Sequence, residues 1–234
     1  MKNSLLAVAF LLTSCSEAVK NKVGFWWSNV RGGYSVEERV AQFGPRVAAR
    51  QQPVFARAGV AYPPSELAYL AFKDSAMLEV YARDDDAHPW TLIERDRVHA
   101  ESGILGPKLK EGDEQVPEGV YQVEALNPNS RYHLSLRLSY PNDFDRRQAA
   151  GDGRTRLGGD IMIHGDARSI GCLAMGNDAA EDLFVMAALA KRQPVEVIVS
   201  PTDLRVNDVR LLAGAPAWLP ELYAELRKEL RAFR

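Results

Sequence analysis

From Glu66 onward the apolar residues of this chain come in short runs set off by turn residues, and that punctuation limits the fold more than any other feature. Leu67 to Phe72 and Met77 to Tyr81 flank Lys73-Asp74-Ser75, a pattern that predicts a β-hairpin because the polar step is short and strand-length runs lie on both sides. Further strands are expected around Trp90 to Arg95, Val120 to Ala125, His133 to Leu138 and Val195 to Val199. Leu134, Leu136 and Leu138 alternate with Ser135, Arg137 and Ser139, the period-two pattern of a strand with one face in a core. Asp160 to His164 puts Ile161 and Ile163 on one face and Met162 and His164 on the other, so His164 lands at a strand end.

Helices are expected around this β framework. Ser35-Val36-Glu37-Glu38 has the spacing of a capping box. Val36, Val40, Phe43 and Val47 then recur at three- and four-residue steps, predicting an amphipathic helix that stops before Pro53. Asn177 or Asp178 can cap another helix running toward Arg192, ahead of Pro194. From Trp218, the residues Leu219, Leu222, Tyr223, Leu226 and Leu230 form one face of a C-terminal helix expected to pack on the domain. Pro107 to Gly119 and Asn142 to Gly159 are rich in Gly, Pro and charge and read as loops. The expected class is mainly β with flanking helices (α+β), and the length suits one domain. Twenty-nine basic against thirty-one acidic residues leave a net charge of −2, which gives no general electrostatic reason to bind nucleic acid or an anionic surface.

The N-terminus reads as an export signal, with Lys2 as its positive end and Leu5 to Leu12 as an apolar run too short to span a bilayer. Leu12-Thr13-Ser14-Cys15 resembles the lipobox of bacterial lipoproteins. That resemblance implies a signal over 1–14, lipidation of Cys15, and a chain held on a membrane without crossing it, since several acyl chains suffice for stable anchoring. Ser16 does not favour inner-membrane retention, so the expected place is the periplasmic face of the outer membrane. Trp26 and Trp27 would lie near the headgroups. Residues 15–64 are then tether and helix, 65–200 the main domain and 201–234 a helical extension. With Cys15 lipidated, Cys172 is left as a solitary thiol in an exported chain.

The chemistry concentrates in His164-Gly165-Asp166-Ala167-Arg168-Ser169-Ile170-Gly171-Cys172, where a histidine stands eight residues ahead of a cysteine on a Gly-containing loop. An imidazole within reach of a thiol can take its proton and make a nucleophile. Gly171 permits a tight turn, so backbone N–H groups of Gly171 and Cys172 can converge on the oxyanion of a tetrahedral intermediate. Acyl transfer is the reaction such a set serves. His164, Asp166 and Cys172 are also metal-ligand types, yet no second His or Cys cluster at zinc-like spacing accompanies them. His88, His99 and His133 show no partner pattern.

A strand ending in His164-Gly165, a loop, and then Ser169-Ile170-Gly171-Cys172 resembles the YkuD family of L,D-transpeptidases. Gly106-Pro107-Lys108, Glu111-Gly112-Asp113, Pro117-Glu118-Gly119-Val120-Tyr121, Leu126-Asn127-Pro128 and Tyr140-Pro141-Asn142 resemble its YafK-like branch. The resemblance implies a β-sandwich domain over 65–200, Cys172 as nucleophile, and His164 as general base oriented by a carbonyl such as that of Gly165. It implies no metal or cofactor. It also implies attack at the L-centre of meso-diaminopimelate in peptidoglycan stem peptides, with transfer to an amine or to water; in the YafK-like branch this extends to release of a wall-attached lipoprotein. A wall-binding lipoprotein without activity is the reading from another class. Against the commoner family form, the loop before Cys172 is short, Ile170 replaces a histidine and Ala174 stands where arginine often follows. Ser169, Tyr140, Arg154 and Arg156 are the candidate pocket residues, guanidinium groups being suited to carboxylates.

Overall fold

The hairpin at Lys73 to Ser75 joins β1 (Glu66–Phe72) to β2 (Met77–Arg83) in antiparallel register from Glu66 opposite Arg83 to Phe72 opposite Met77. A computed structural model describes this and the rest of the chain over residues 33–168, 171–211 and 214–233. The other strands are β3 (Thr91–Arg97), β4 (Gly119–Asn127), β5 (Ser135–Leu138), β6 (Met162–His164), β7 (Leu173–Ala174) and β8 (Glu196–Ser200). They form one mixed sheet in the order β3-β2-β1-β8-β4-β5-β6-β7, with β1/β8 and β6/β7 parallel. A register shift between Val123 and Ala125 interrupts the β4/β5 ladder where the sheet passes from one wing to the other. Such irregularities bend a strand and increase its twist.

Every residue of β1 is buried because helices cover both faces of the sheet. Leu67, Tyr69 and Ala71 join one apolar cluster, while Ala68, Leu70 and Phe72 join the other. The first cluster takes in α1 (Val36–Ala58) and α3 (Asn177–Leu189); the second takes in α4 (Leu219–Leu230) and Phe144 of α2 (Asp143–Gly151). The C-terminal helix contributes Leu219, Leu222, Tyr223, Leu226 and Leu230, the face expected from its sequence. No helix among the described residues is long and apolar enough to cross a membrane.

Three helical expectations need correction. First, α1 does not stop before Pro53: it runs through Pro45 and Pro53 and ends at Gly59, whose φ of 72° is left-handed. An interior proline costs about 3 kcal/mol, but Val40, Phe43, Val47, Gln51 and Phe55 all remain buried along the continuous face, and that packing outweighs it. Second, part of Asn142 to Gly159 is helical, because Asn142 and Asp145 form a capping box that starts α2. Third, α3 is capped by neither Asn177 nor Asp178: Gly176 is its N-cap, and the helix ends at Leu189, short of Arg192. The Asn177 side chain is used elsewhere, accepting the Asp166 N–H at 2.9 Å.

Polar contacts fasten α1 to α3. Arg50 Nη2 meets Asp182 Oδ1 at 2.6 Å, Arg46 clasps the buried Glu181, and Gln51 Nε2 donates to Asp182 at 3.0 Å and to Glu94 of β3 at 3.0 Å. Burial next to Asp96 pushes the Glu94 carboxyl up to about 7, and burial beside Asp182 pushes Asp96 up to about 6.

Candidate active site

His164 closes β6, and its backbone is fixed from both sides. On one side β6 pairs with β5, placing His164 opposite Ser135; on the other, Ile163 pairs with Leu173 and His164 with Ala174. The Met175 N–H donates to the His164 carbonyl at 2.8 Å, and the Gly165 N–H to the Leu134 carbonyl at 3.1 Å. Gly165 is glycine for want of room: a Cβ there would meet Asn177 Oδ1 at 2.7 Å and the Tyr132 carbonyl at 2.8 Å. The His-Gly pair thus combines a pinned histidine with the one residue that lets two loops close over it.

The His164 side chain is 2% exposed, and its Nδ1 lies 2.5 Å from the Gly165 carbonyl. A carbonyl only accepts, so Nδ1 carries the hydrogen and Nε2 is left with its lone pair. The Tyr132 ring stacks on the imidazole, centroids 4.7 Å apart and planes at 29°. Burial lowers the histidine pKa against the smaller raising effects of the Gly165 carbonyl and the Asp166 charge, which keeps the ring neutral at neutral pH.

Cys172 immediately precedes β7. In a parallel pair facing residues point the same way, so Ala174 shares the face of His164, and by alternation Cys172 shares the face of Met162 and His164. The half-buried thiol donates to the Asp160 carbonyl, with Sγ 3.8 Å from the oxygen. Burial raises its pKa above the ordinary cysteine value; the Met162 backbone and the Lys108 ammonium pull it down, and the Asp160 charge pushes it up. The resting pair is therefore neutral thiol and neutral imidazole. An imidazole whose free nitrogen is fixed on the thiol's side of the sheet can take the thiol proton as the sulfur attacks.

Gly171 has φ of 87°, a left-handed conformation that favours glycine directly ahead of the cysteine. Its N–H donates to Ser102 Oγ at 2.5 Å. A cavity of about 200 Å³ adjoins this turn, lined by Lys108, Glu114, Gly158, Asp160, Ile161 and Gly171 among others. Lys108 is buried, its ammonium donating to the Lys110 carbonyl at 3.0 Å and paired with Asp113.

Ser169, like Cys15, Trp26 and Trp27, lies outside the described residues. Tyr140 is 4% exposed, its hydroxyl donating to the Leu157 carbonyl at 3.2 Å and its ring packed edge-on against Tyr121. Arg154 pairs with Asp152 at 2.9 Å and donates to the Leu109 carbonyl at 3.0 Å, while Arg156 pairs with Glu111 at 2.7 Å. These three side chains fasten the 139–161 segment and the 109–111 loop, and none of them lines the cavity beside Gly171. Tyr132, Ser102 and Lys108 have no assigned role in the sequence reading; only Lys108 lies within a motif that could have raised it. Among the described residues no group of His, Cys, Asp and Glu side chains is arranged to hold a metal ion.

The model of the YkuD family, the L,D-transpeptidase catalytic domain, matches residues 74–198. YafK of Escherichia coli strain K12, a candidate L,D-transpeptidase, is 35% identical over 144 residues, which cover 60% of this chain and 55% of YafK. The chain therefore spans about half the length of that curated relative. Among solved structures, the helical cell shape determining protein Pgp2 of Campylobacter jejuni is 23% identical, with a TM-score of 0.44 over 69% of this chain and 57% of Pgp2. L,D-transpeptidase 1 of Mycobacterium tuberculosis is 13% identical, with a TM-score of 0.33 over 58% of this chain and 62% of its own.

Proposed function

This chain belongs to the YkuD family of L,D-transpeptidase catalytic domains, and we propose that it is a cysteine acyltransferase acting on peptidoglycan stem peptides. The observation that carries this reading is the parallel β6/β7 pair, which brings His164 and Cys172 to one face with Nδ1 of His164 engaged by Gly165. In the proposed reaction His164 Nε2 takes the proton of Cys172 as Sγ bonds to the carbonyl carbon at the L-centre of meso-diaminopimelate. The carbonyl electron pair moves onto oxygen, then returns as the bond to the terminal D-alanine nitrogen breaks, and His164 gives that nitrogen the proton. An amine or water then resolves the thioester. Proton transfer of this kind supplies about 10²- to 10⁴-fold in rate, and no metal or cofactor is required for it.

The proposed setting is the cell envelope, on the periplasmic face of a membrane, with Cys15 lipidated and residues 15–64 acting as tether and neck. Mass spectrometry of peptidoglycan incubated with the chain and with its Cys172→Ala form tests the reading. New cross-links between diaminopimelate residues, or exchange of the terminal D-amino acid, are expected for transfer. Shortened stems, or release of a wall-attached lipoprotein, without new links would make water the acceptor. Absence of any Cys172-dependent product would overturn the enzyme in favour of a wall-binding lipoprotein.

A further inference from the structure

We propose that Asn177 is a positioning residue for His164, acting through the peptide that joins Gly165 to Asp166, an inference that rests on the acyl-transfer reading above. After β7 the chain runs beside the end of β6 into α3, and three successive residues on the way bond back to the histidine turn. The Met175 N–H donates to the His164 carbonyl at 2.8 Å, and the Gly176 N–H to the Asp166 carbonyl at 2.9 Å. Asn177 follows with its side chain, whose Oδ1 accepts the Asp166 N–H at 2.9 Å. An N–H only donates, so the carboxamide presents its oxygen to the turn and not its nitrogen.

The Gly165 carbonyl and the Asp166 N–H belong to one planar peptide unit. Its oxygen lies 2.5 Å from His164 Nδ1, and its N–H is the group that Asn177 holds. Fixing one end of a rigid plane fixes the other. Glycine by itself offers little such restraint, since it has no Cβ to limit its torsions. The fit is also close in space: a Cβ on Gly165 would stand 2.7 Å from Asn177 Oδ1, so this oxygen packs directly against the turn although Asn177 as a whole is exposed.

The direction of that carbonyl decides what His164 can do. While it accepts from Nδ1, the ring hydrogen stays there and Nε2 keeps the lone pair that the proposed reaction uses. Were the peptide to turn, Nδ1–H would lose its acceptor and the hydrogen would be free to occupy Nε2, presenting a donor where a base is required. The bond to Asn177 also polarises the peptide, because a donating N–H makes the carbonyl of the same unit a stronger acceptor. Asn177 thereby acts on the histidine through the backbone.

The test uses the full chain and its Asn177→Leu, Asn177→Ala and Asn177→Asp forms, with the histidine ring nitrogens isotopically labelled for magnetic resonance. One readout is turnover of a stem-tetrapeptide muropeptide. The other is the pair of ring-nitrogen signals of His164, recorded above the histidine pKa range and assigned by their loss in a His164→Gln form. Leucine and alanine remove the acceptor, whereas aspartate keeps an oxygen in its place. For the first two, the signals are expected to move from hydrogen on Nδ1 toward a mixture of both tautomers, and kcat to fall about 3- to 10-fold, the range of one hydrogen bond, with KM unchanged. Asn177→Asp is expected to keep the parent tautomer and most of kcat. His88, paired with Asp85 between β2 and β3, lies at the other edge of the sheet from β7, and its unchanged signals report an intact fold. Unaltered His164 signals in the leucine and alanine forms, a kcat within twofold of the parent, or equal disturbance by aspartate would each overturn the role. Absence of turnover by the unaltered chain would instead overturn the acyl-transfer reading; the nitrogen signals need no substrate and would still decide whether Asn177 sets the imidazole.

Discussion

His164 and Cys172 stand on neighbouring strands and are held in opposite ways. The histidine is 2% exposed at the end of a strand paired on both edges, with one ring nitrogen tied to a carbonyl and one face covered by Tyr132. The cysteine is half-buried ahead of a two-residue strand, and apart from the Met162 backbone of β6 its surroundings come from loops: the Asp160 carbonyl, the Ser102 hydroxyl on Gly171, and Lys108. The sheet fixes the histidine, the proposed base, whereas loop hydrogen bonds do most of the holding at the cysteine, the proposed nucleophile. Damage to loop anchorage should therefore reach the cysteine first and leave the histidine where it is.

The largest effects come from removing either member. Cys172→Ala should abolish product altogether while preserving the fold, since a half-buried thiol carries little of the core. His164→Ala should lower kcat by about 10²- to 10⁴-fold and leave Cys172 alkylation to rise only as the thiol ionises unaided, at higher pH. Steady-state turnover and iodoacetamide kinetics measure the two. A His164→Ala form with parental kcat would break the comparison at its root.

Next in size is the anchor of the loop on the nucleophile side. Lys73, 4% exposed in its side chain, pairs with the fully buried Glu118 at 3.1 Å and donates to the Gly106 and Val116 carbonyls at 2.8 and 3.1 Å. Glu118 also accepts the Gly106 N–H at 2.7 Å and the Tyr223 hydroxyl at 3.0 Å. Lys73→Met leaves a buried carboxylate without its cation, which typically costs about 3–5 kcal/mol. Urea denaturation should show that loss, and hydrogen exchange should speed up over 101–118 more than over β5 and β6. Uniform acceleration across both regions would mean that the two sides are not separately held.

Tyr132 offers a smaller and more local perturbation on the histidine side. Aromatic stacking is worth about 0.5–1.5 kcal/mol, so Tyr132→Ala should reduce kcat by about 2- to 10-fold, while Tyr132→Phe keeps the ring and should stay close to the parent. Parity between the alanine and parent forms would show that the strand alone orients the imidazole.

The same division explains what the sequence revealed. Alternation at Leu134, Leu136 and Leu138, the Lys73 to Ser75 turn and the His164 strand end are local patterns, and local patterns survive in a linear reading. The spacing from His164 to Cys172 was legible for that reason. Ser102 and Tyr132 reach the site from distant parts of the chain and leave no local mark. Proline disfavours helix interiors, so the sequence alone predicts a stop at Pro53, yet the burial of Gln51 before it and Phe55 after it carries α1 through. Tyr140 shows the converse. Its place in a family-like motif suggested substrate, but its buried hydroxyl is bonded to Leu157 and its ring lies against Tyr121.

The smallest effect tests electrostatics at the pinned histidine. Burial lowers the His164 pKa below its ordinary value of 6.5, so kcat/KM should rise as pH passes through a value under the usual histidine range, where the imidazolium loses its proton and becomes a base. The Asp166 charge opposes that depression, since a negative neighbour favours the imidazolium. Removing it should therefore move the acid limb further toward low pH. Asp166→Asn isolates the charge: asparagine tolerates the left-handed backbone, φ 64°, and its carboxamide oxygen can still accept the Ala167 N–H. Because Asp166 is exposed, solvent and salt screen it, so the displacement should be small and should shrink further as ionic strength is raised. A limb that moved upward would mean that the charge acts on Cys172 or on substrate, and would take the control of the base away from the pinned side of the site.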